Sequence, residues 1–211
     1  MKIHHIIGGA LCLLAFTACS DELNYKEFNN YGKSYVFTNF DNTVGFVSYI
    51  YGMLDYDFGT YGNGMLASAC DEAEYAWRSG SINDFINGAW GPSNAKANIW
   101  NESYNAIREA NYYLSVCDQC DFSELKFNQD YLAQMARFRR LKFEVRFLRA
   151  YYYFNLVRQY GAVPFTTTVL SEAEANRLER TPANEVFDFI VKECDDICDS
   201  LPADYSRLGN D

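Results

Sequence analysis

Phe143-Glu144-Val145-Arg146-Phe147-Leu148-Arg149-Ala150-Tyr151-Tyr152-Tyr153-Phe154-Asn155-Leu156-Val157-Arg158-Gln159-Tyr160-Gly161-Ala162-Val163-Pro164-Phe165 is the stretch on which the reading of this chain turns. From Asn128 to Tyr160 the chain runs without Gly or Pro, and Gly161 stands where a helix C-terminus favours a residue free to take positive φ. Leu141, Val145, Leu148, Tyr152 and Leu156 recur at three- and four-residue spacing, so they form the apolar stripe of one long helix. Arg146 and Arg149 sit among aromatics on that helix, which suits buried salt bridges or cation–π contacts better than contacts to a ligand. No convincing strand is longer than Ala162-Val163-Pro164-Phe165-Thr166.

The flanks repeat the helical pattern. Downstream, Thr181 can cap a helix, Pro182 fits its first turn and Pro202 ends it, with Phe187, Ile190, Cys194, Ile197 and Leu201 facing inward. Upstream, Lys96 to Asp118 reads as a helix with Trp100, Tyr104, Ile107, Asn111 and Leu114 on its inner stripe. An earlier helix from about Asp41 to Asp55 carries Val44, Val47, Tyr51 and Leu54. Between these two lies a Gly-rich stretch, Asp57 to Ala95, and long ordered loops of this kind are usually functional. The expected fold is all-α, made of helix pairs that bury their stripes against one another.

Composition narrows the function. A net charge of −10 argues against nucleic acid and anionic surfaces, and the densest basic stretch, Arg137-Phe138-Arg139-Arg140-Leu141-Lys142, reads as the wet face of a helix. The 17 Tyr and 16 Phe suit half-buried rings or a contact surface for sugar-like ligands. Both His residues, His4 and His5, lie at the N-terminus, and no nucleophile–base pair or phosphate loop is evident. Carboxylate pairs such as Asp71 with Glu74, or Asp195 with Asp196, carry no mark of glycosidase acids, so an enzyme is not expected. Cys117 with Cys120, and Cys194 with Cys198, read as small core residues or local disulfides rather than a zinc site; no metal and no cofactor is expected.

The N-terminus is a secretory leader. Lys2 precedes the apolar run Ile6 to Phe16, too short for the ~20 residues that span a bilayer, and Thr17-Ala18-Cys19 follows. Cys19 directly after Ala18 resembles the lipobox, in which the thiol takes a diacylglyceryl group. Residues 1–18 are therefore read as a lipoprotein signal and Cys19 as the lipid anchor to a membrane. Residues 19–35 are a tether, beginning with the acidic Ser20-Asp21-Glu22, and residues 36–211 are the helical domain. Ser20-Asp21-Glu22 resembles a surface-export tag of some Bacteroidetes-type bacteria, and equally suits a solvated tether.

Taken together, the quoted stretch resembles the signature of the SusD/RagB family, E-A-R-F-L-R-A-Y-Y-Y-F-x-L-V-x-x-F-G-x-V-P, with Val145 and Tyr160 as mild departures. Trp100-x-x-x-Tyr104-x-x-Ile107-x-x-Ala110-Asn111, Arg180-Thr181-Pro182, Glu185 to Ile190 and Leu201-Pro202 agree with the same family. The resemblance implies tetratricopeptide-like helix pairs with long ligand-binding loops. It also implies an outer-membrane lipoprotein on the cell exterior that binds glycans or peptides above a TonB-dependent transporter. Family chains are usually more than twice as long, so this chain is expected to be the N-terminal part of a larger fold.

The resemblance places the ligand platform in the loop before the Trp100 helix. Trp77 is the expected stacking ring, with Arg78 and Asp71 as hydroxyl partners and Tyr75 and Trp90 in support. The other reading of Trp77 and Trp90 is that they pack the loop onto the helices. Trp100 is assigned to the core stripe and excluded from the site. The expected ligand is an oligosaccharide. The alternatives are a helical-repeat protein that binds a peptide or protein, or a truncated family member without function.

Overall fold

The computed structural model describes residues 32–55 and 59–203; the leader, Cys19 and most of the tether lie outside them. The chain divides into two units, the first ending at Val36 with the short helix α1 (Lys33–Val36). The second unit begins at Phe37 and is helical at its centre.

Its first helix, α2 (Phe40–Tyr51), starts at Asn39, whose side chain accepts from the Asn42 amide at 3.0 Å, so the turn is capped as expected of an Asn. Gly52 ends it. The buried face is Phe40, Thr43, Val47 and Ile50, rotated from the expected Val44–Val47–Tyr51–Leu54 stripe; Tyr51 is exposed. Thr43 can face inward because its hydroxyl donates to the Asn39 carbonyl at 2.8 Å, which satisfies the only polar atom of its side chain.

α3 (Trp100–Val116) packs on α4 (Tyr131–Tyr160), and α4 packs on α6 (Ala183–Ile197). α4 is 30 residues long and forms the centre of the unit, with α2 against it as well. Its buried line includes the expected Leu141, Val145, Leu148, Tyr152 and Leu156. Gly161 closes it at φ +70, its amide bonded to the Val157 carbonyl at 2.9 Å. A further bond ties α2 to α4 across 102 residues of sequence: the buried Tyr152 hydroxyl donates to the Ile50 carbonyl at 2.6 Å. α3 is buried on more than one side, because the small residues Ser103, Ala106 and Ala110 let a neighbouring helix approach closely.

The C-terminal helix departs from expectation in two ways. Thr181 does not cap it; Thr181 belongs to a two-residue strand, β4 (Arg180–Thr181), paired antiparallel with β3 (Val163–Pro164), and the helix starts after Pro182 without a side-chain cap. The buried face is Val186, Ile190, Glu193 and Ile197, while Phe187 is 38% exposed. The stripe centres one residue earlier because the acid Glu193 is drawn inward by two arginines of α4. A four-residue helix, α5 (Glu172–Ala175), bridges β3 and β4 and is fixed by a Ser171–Glu174 capping box.

The paired ions form a buried network across α3, α4 and α6. Arg146 binds Glu193 bidentately, through Nε at 3.2 Å and Nη2 at 2.8 Å, and Arg149 Nη2 reaches the same carboxylate at 3.0 Å. Arg149 Nη1 also donates to Asn111 Oδ1 at 2.9 Å, and its guanidinium lies over the Phe189 ring at 5.4 Å. Salt bridge and cation–π contact are thus both present at Arg149.

Candidate functional site

The stretch between α2 and α3 contains a hairpin too short to show as alternation in the sequence. β1 (Thr60–Tyr61) pairs with β2 (Gly64–Met65), turned by Gly62 at φ +54 and Asn63 at φ +66. Two successive positive-φ residues give the turn the twist that two-residue hairpins need. Ile82, fully buried, lies beneath Gly64, and the loop carries a small core of its own.

Tyr75 is the packed member of the expected site. Its ring is boxed between two glycines: a Cβ on Gly80 would meet Tyr75 Cε1 at 2.4 Å, and one on Gly64 would meet Tyr75 Cδ2 at 3.3 Å. Trp77 differs. Its side chain is 72% exposed, yet its carbonyl accepts from the Asn83 side chain at 2.8 Å and from the Gly80 amide at 3.1 Å. An indole facing water on a backbone held from two sides is preorganised for stacking, since less freedom remains to be lost on contact.

Trp90 is 58% exposed and stands edge-on to Phe85 at 5.1 Å, with Phe85 in turn edge-on to Tyr61 at 5.4 Å. The ring is therefore both packed against the loop and open to solvent. Asp71 and Arg78 are exposed and make no hydrogen bond or ion pair among the described residues. The structure gathers Tyr75 and Trp77 about the turn at Gly80 and places Trp90 on the Tyr61–Phe85 pair.

Sequence reasoning missed the supports. Asp84 pairs with Lys96 at 2.5 Å and lies within 3.5 Å of the Asn87 and Asn94 amides. The Lys96 hydrogen bond is the main cause that holds its carboxyl below the usual range. Asn94 also donates to the Ala89 carbonyl at 2.8 Å, which shapes the turn behind Trp90. The loop is fastened to the end of α4: Gln159 donates to the Ala97 carbonyl at 2.7 Å and the Tyr160 hydroxyl to Asn98 Oδ1 at 2.9 Å. Ala97 sits at φ +50 there, a left-handed position rare for alanine. The signal that could have found this anchorage is the run of amide side chains, Asn94 and Asn98, before the Trp100 helix.

Trp100 corrects the sequence reading. It is half-buried rather than part of the core, and its ring lines a cavity of about 340 Å³ with Tyr104, Arg108, Leu170 and Leu178. It packs on Tyr104 at 4.9 Å and Tyr160 at 5.1 Å, with the Arg180 guanidinium over it at 5.7 Å. The β3–β4 pairing, Pro164 opposite Arg180, brings Arg180 to this place. The five described cysteines are free thiols, so neither spacing forms a disulfide, and among the described residues no group of His, Cys, Asp and Glu gathers as for a metal.

Residues 26–209 match the family described as SusD-like, starch-binding and associating with the outer membrane. The SusD-like protein P2 of Formosa agariphila is 28% identical over 111 residues, covering 52% of this chain and 20% of that protein. A SusD-like protein of Bacteroides fragilis superposes with a TM-score of 0.59 at 20% identity, over 85% of this chain and 33% of the other. A SusD-like carbohydrate-binding protein of the same organism gives 0.59 at 23% identity, over 82% and 33%. The chain thus spans a fifth to a third of the length of these relatives.

Proposed function

The chain belongs to the SusD-like family of starch-binding proteins that associate with the outer membrane, and on that premise we propose that it captures glycan at the cell surface. In this reading Cys19, outside the described residues, carries lipid and holds the chain to the outer face of the outer membrane. The captured oligosaccharide is passed to a TonB-dependent transporter, and the protein acts as a binder, with no catalysis of its own.

The observation that carries the reading is Trp77: an indole 72% exposed on a backbone fixed by Asn83 and Gly80. Sugar rings present an apolar CH face, which an exposed aromatic face stacks on, and polar side chains nearby take the hydroxyls. Arg78 and Asp71, both exposed and without ties among the described residues, have that capacity. Tyr75 supports the platform from below, and Trp90 extends the aromatic surface.

Calorimetry with a panel of α-glucan and other oligosaccharides tests this. Trp77→Ala is expected to weaken binding by about 1–3 kcal/mol, the scale of losing one large buried contact. Unchanged affinity in a folded Trp77→Ala variant removes Trp77 from the site. Failure of the wild-type chain to bind any glycan, together with binding of a peptide, replaces the glycan reading by the peptide one.

A further inference from the structure

Phe127 and Leu132 are the two most exposed large apolar side chains among the described residues, at 87% and 80%. Phe127 ends a 3₁₀ turn (Ser123–Phe127), and Leu132 is the second residue of α4, on which that turn packs. No residue of α4 before Leu141 is buried, so this end of the helix stands off the core. Leu132 and Arg139, seven residues apart, share one face of α4, and the buried stripe that starts at Leu141 lies on the other side.

The charge here runs against that of the chain. Between Lys126 and Lys142 stand five cations and a single carboxylate, Asp130, while the whole chain carries −10. Lys142 is taken by Asp118 at 2.6 Å. Lys126, Arg137 and Arg139 form no ion pair among the described residues. The Lys126 ammonium lies instead over the Phe127 ring, 4.9 Å from its centre. Asp130 holds the Gln134 side-chain amide at 2.8 Å, and Asp121 the Ser123 amide at 2.9 Å.

A net charge of −10 disfavours an anionic surface from afar. At physiological salt, however, exposed charges more than about 8 Å apart are largely screened, so the local balance decides once contact is made. A single exposed apolar side chain is ordinary. Two of them beside unpaired cations have the makeup of a segment that lies in a membrane interface. The apolar side chains enter the boundary between headgroups and acyl chains, and the cations meet the lipid phosphates above them on long flexible stems. An acidic protein would have to offer matching pockets to side chains that stand this far out, whereas a bilayer surface needs none.

We propose that the corner formed by the 3₁₀ turn and the start of α4 docks on an anionic lipid surface, with Phe127 and Leu132 inserted and Lys126 and Arg139 on the phosphates. This contact requires neither lipid on Cys19 nor glycan at Trp77.

The test follows hydrogen exchange of the amides of residues 123–142 in the full chain. It is run with vesicles of phosphatidylcholine and phosphatidylglycerol in equal parts, and with vesicles of phosphatidylcholine alone. Because only these amides are read, attachment of the chain through another segment does not enter the result. The mixed vesicles should slow exchange at least about fivefold, the factor that one cation contributes at an anionic surface, and phosphatidylcholine should leave it unchanged. Lys126→Gln with Arg139→Gln should lose most of the slowing, as should high salt. Phe127→Ser with Leu132→Ser should lose it with no change in charge. All four side chains lie outside the core, and exchange in the rest of the chain checks that both variants fold. Equal exchange on the two kinds of vesicle overturns the proposal, as does slowing retained by both variants. Slowing by soluble polyglutamate with none by the mixed vesicles assigns the corner to an acidic protein instead, and the same slowing by inorganic phosphate alone reduces it to a plain anion site.

Discussion

Tyr153 and Thr166 are joined twice through one hydroxyl: Tyr153 Oη donates to the Thr166 carbonyl at 2.7 Å and accepts from the Thr166 amide at 2.9 Å. The tyrosine side chain thus does what a neighbouring strand would do, for a segment that leaves β3 with no strand beyond it. Asn111 adds bonds to the Thr166 and Thr168 carbonyls at 3.3 and 3.1 Å, so α3 and α4 together fix the exit from the signature helix. Tyr153→Phe removes both hydroxyl bonds and leaves the Thr166 amide without its partner. The expected loss is about 1–3 kcal/mol, read as a lower midpoint in urea unfolding at unchanged slope. An unaltered midpoint shows that water replaces the hydroxyl at no loss.

The Glu193 carboxylate is shared by two guanidinium groups. Burial works to raise its pKa, but the hydrogen bonds from Arg146 and Arg149 outweigh burial and hold it below the usual Glu value. A depressed folded pKa contributes stability that is present in full above the unfolded value of about 4.3 and is lost as pH falls through the folded one. Stability should therefore drop on acidification below about pH 4.3. Glu193→Gln leaves the buried Arg149 without its carboxylate, while Arg146 keeps Asp196 at 3.4 Å; it should lose about 3 kcal/mol at neutral pH and show a shallower acid slope. Urea melts at pH 7 and at stepped acid pH measure both.

Gly80→Ala should disturb the loop and spare the helices. The new methyl meets the Tyr75 ring at 2.4 Å, so the half-buried ring must shift out of its place between Gly80 and Gly64. The expected result is faster proteolytic cleavage between residues 59 and 99 with a thermal midpoint for the helical part within a few degrees of the parent. Equal protease resistance of the two proteins shows that Tyr75 has another position available.

The thiols should separate by reactivity. Burial pushes the Cys117 thiol up to about 11, whereas Cys70 and Cys198 are exposed. The thiolate is the species that alkylates, so iodoacetamide at pH 8 should modify Cys70 and Cys198 first and Cys117 only on unfolding. Peptide mass spectrometry after timed quenching reads this directly, and early labelling of Cys117 contradicts its burial just after the end of α3.

The long helix was legible because its signals are local: an uninterrupted run, a 3.6-residue stripe and the Gly161 cap. The pairing of Arg146 and Arg149 was legible as a type of contact but not in its partner, since Glu193 lies 44 residues from Arg149. The stripes of α2 and α6 were read a step out of place for the same reason. A stripe of apolar residues leaves out Thr43 and Glu193, whose burial depends on an acceptor or a cation supplied by the fold. The hairpin at Gly62-Asn63 was invisible because two-residue strands show no alternation. At the proposed site, sequence put Trp77 and Trp90 in one loop, but only the fold separates Trp77, open to water, from Tyr75, boxed by two glycines. Trp100 was misread because period alone cannot tell a sealed face from one that borders a cavity.

The fastening of Ala97 and Asn98 to the end of α4 also bears on how such a chain can change over generations. The loop is attached to the helices there through the tail of the signature helix, by Gln159 and Tyr160. Replacing the chain between the end of α2 and this clasp leaves the helix-to-helix bonds intact, from Tyr152 to Ile50 and from Arg149 to Glu193. The entropy of closing a loop grows only with the logarithm of its length, about 0.6 kcal/mol for each doubling, so insertions there are inexpensive. Selection can therefore trade one recognition surface for another in this segment, by drift in length as well as in residues, while the helices go on folding as before.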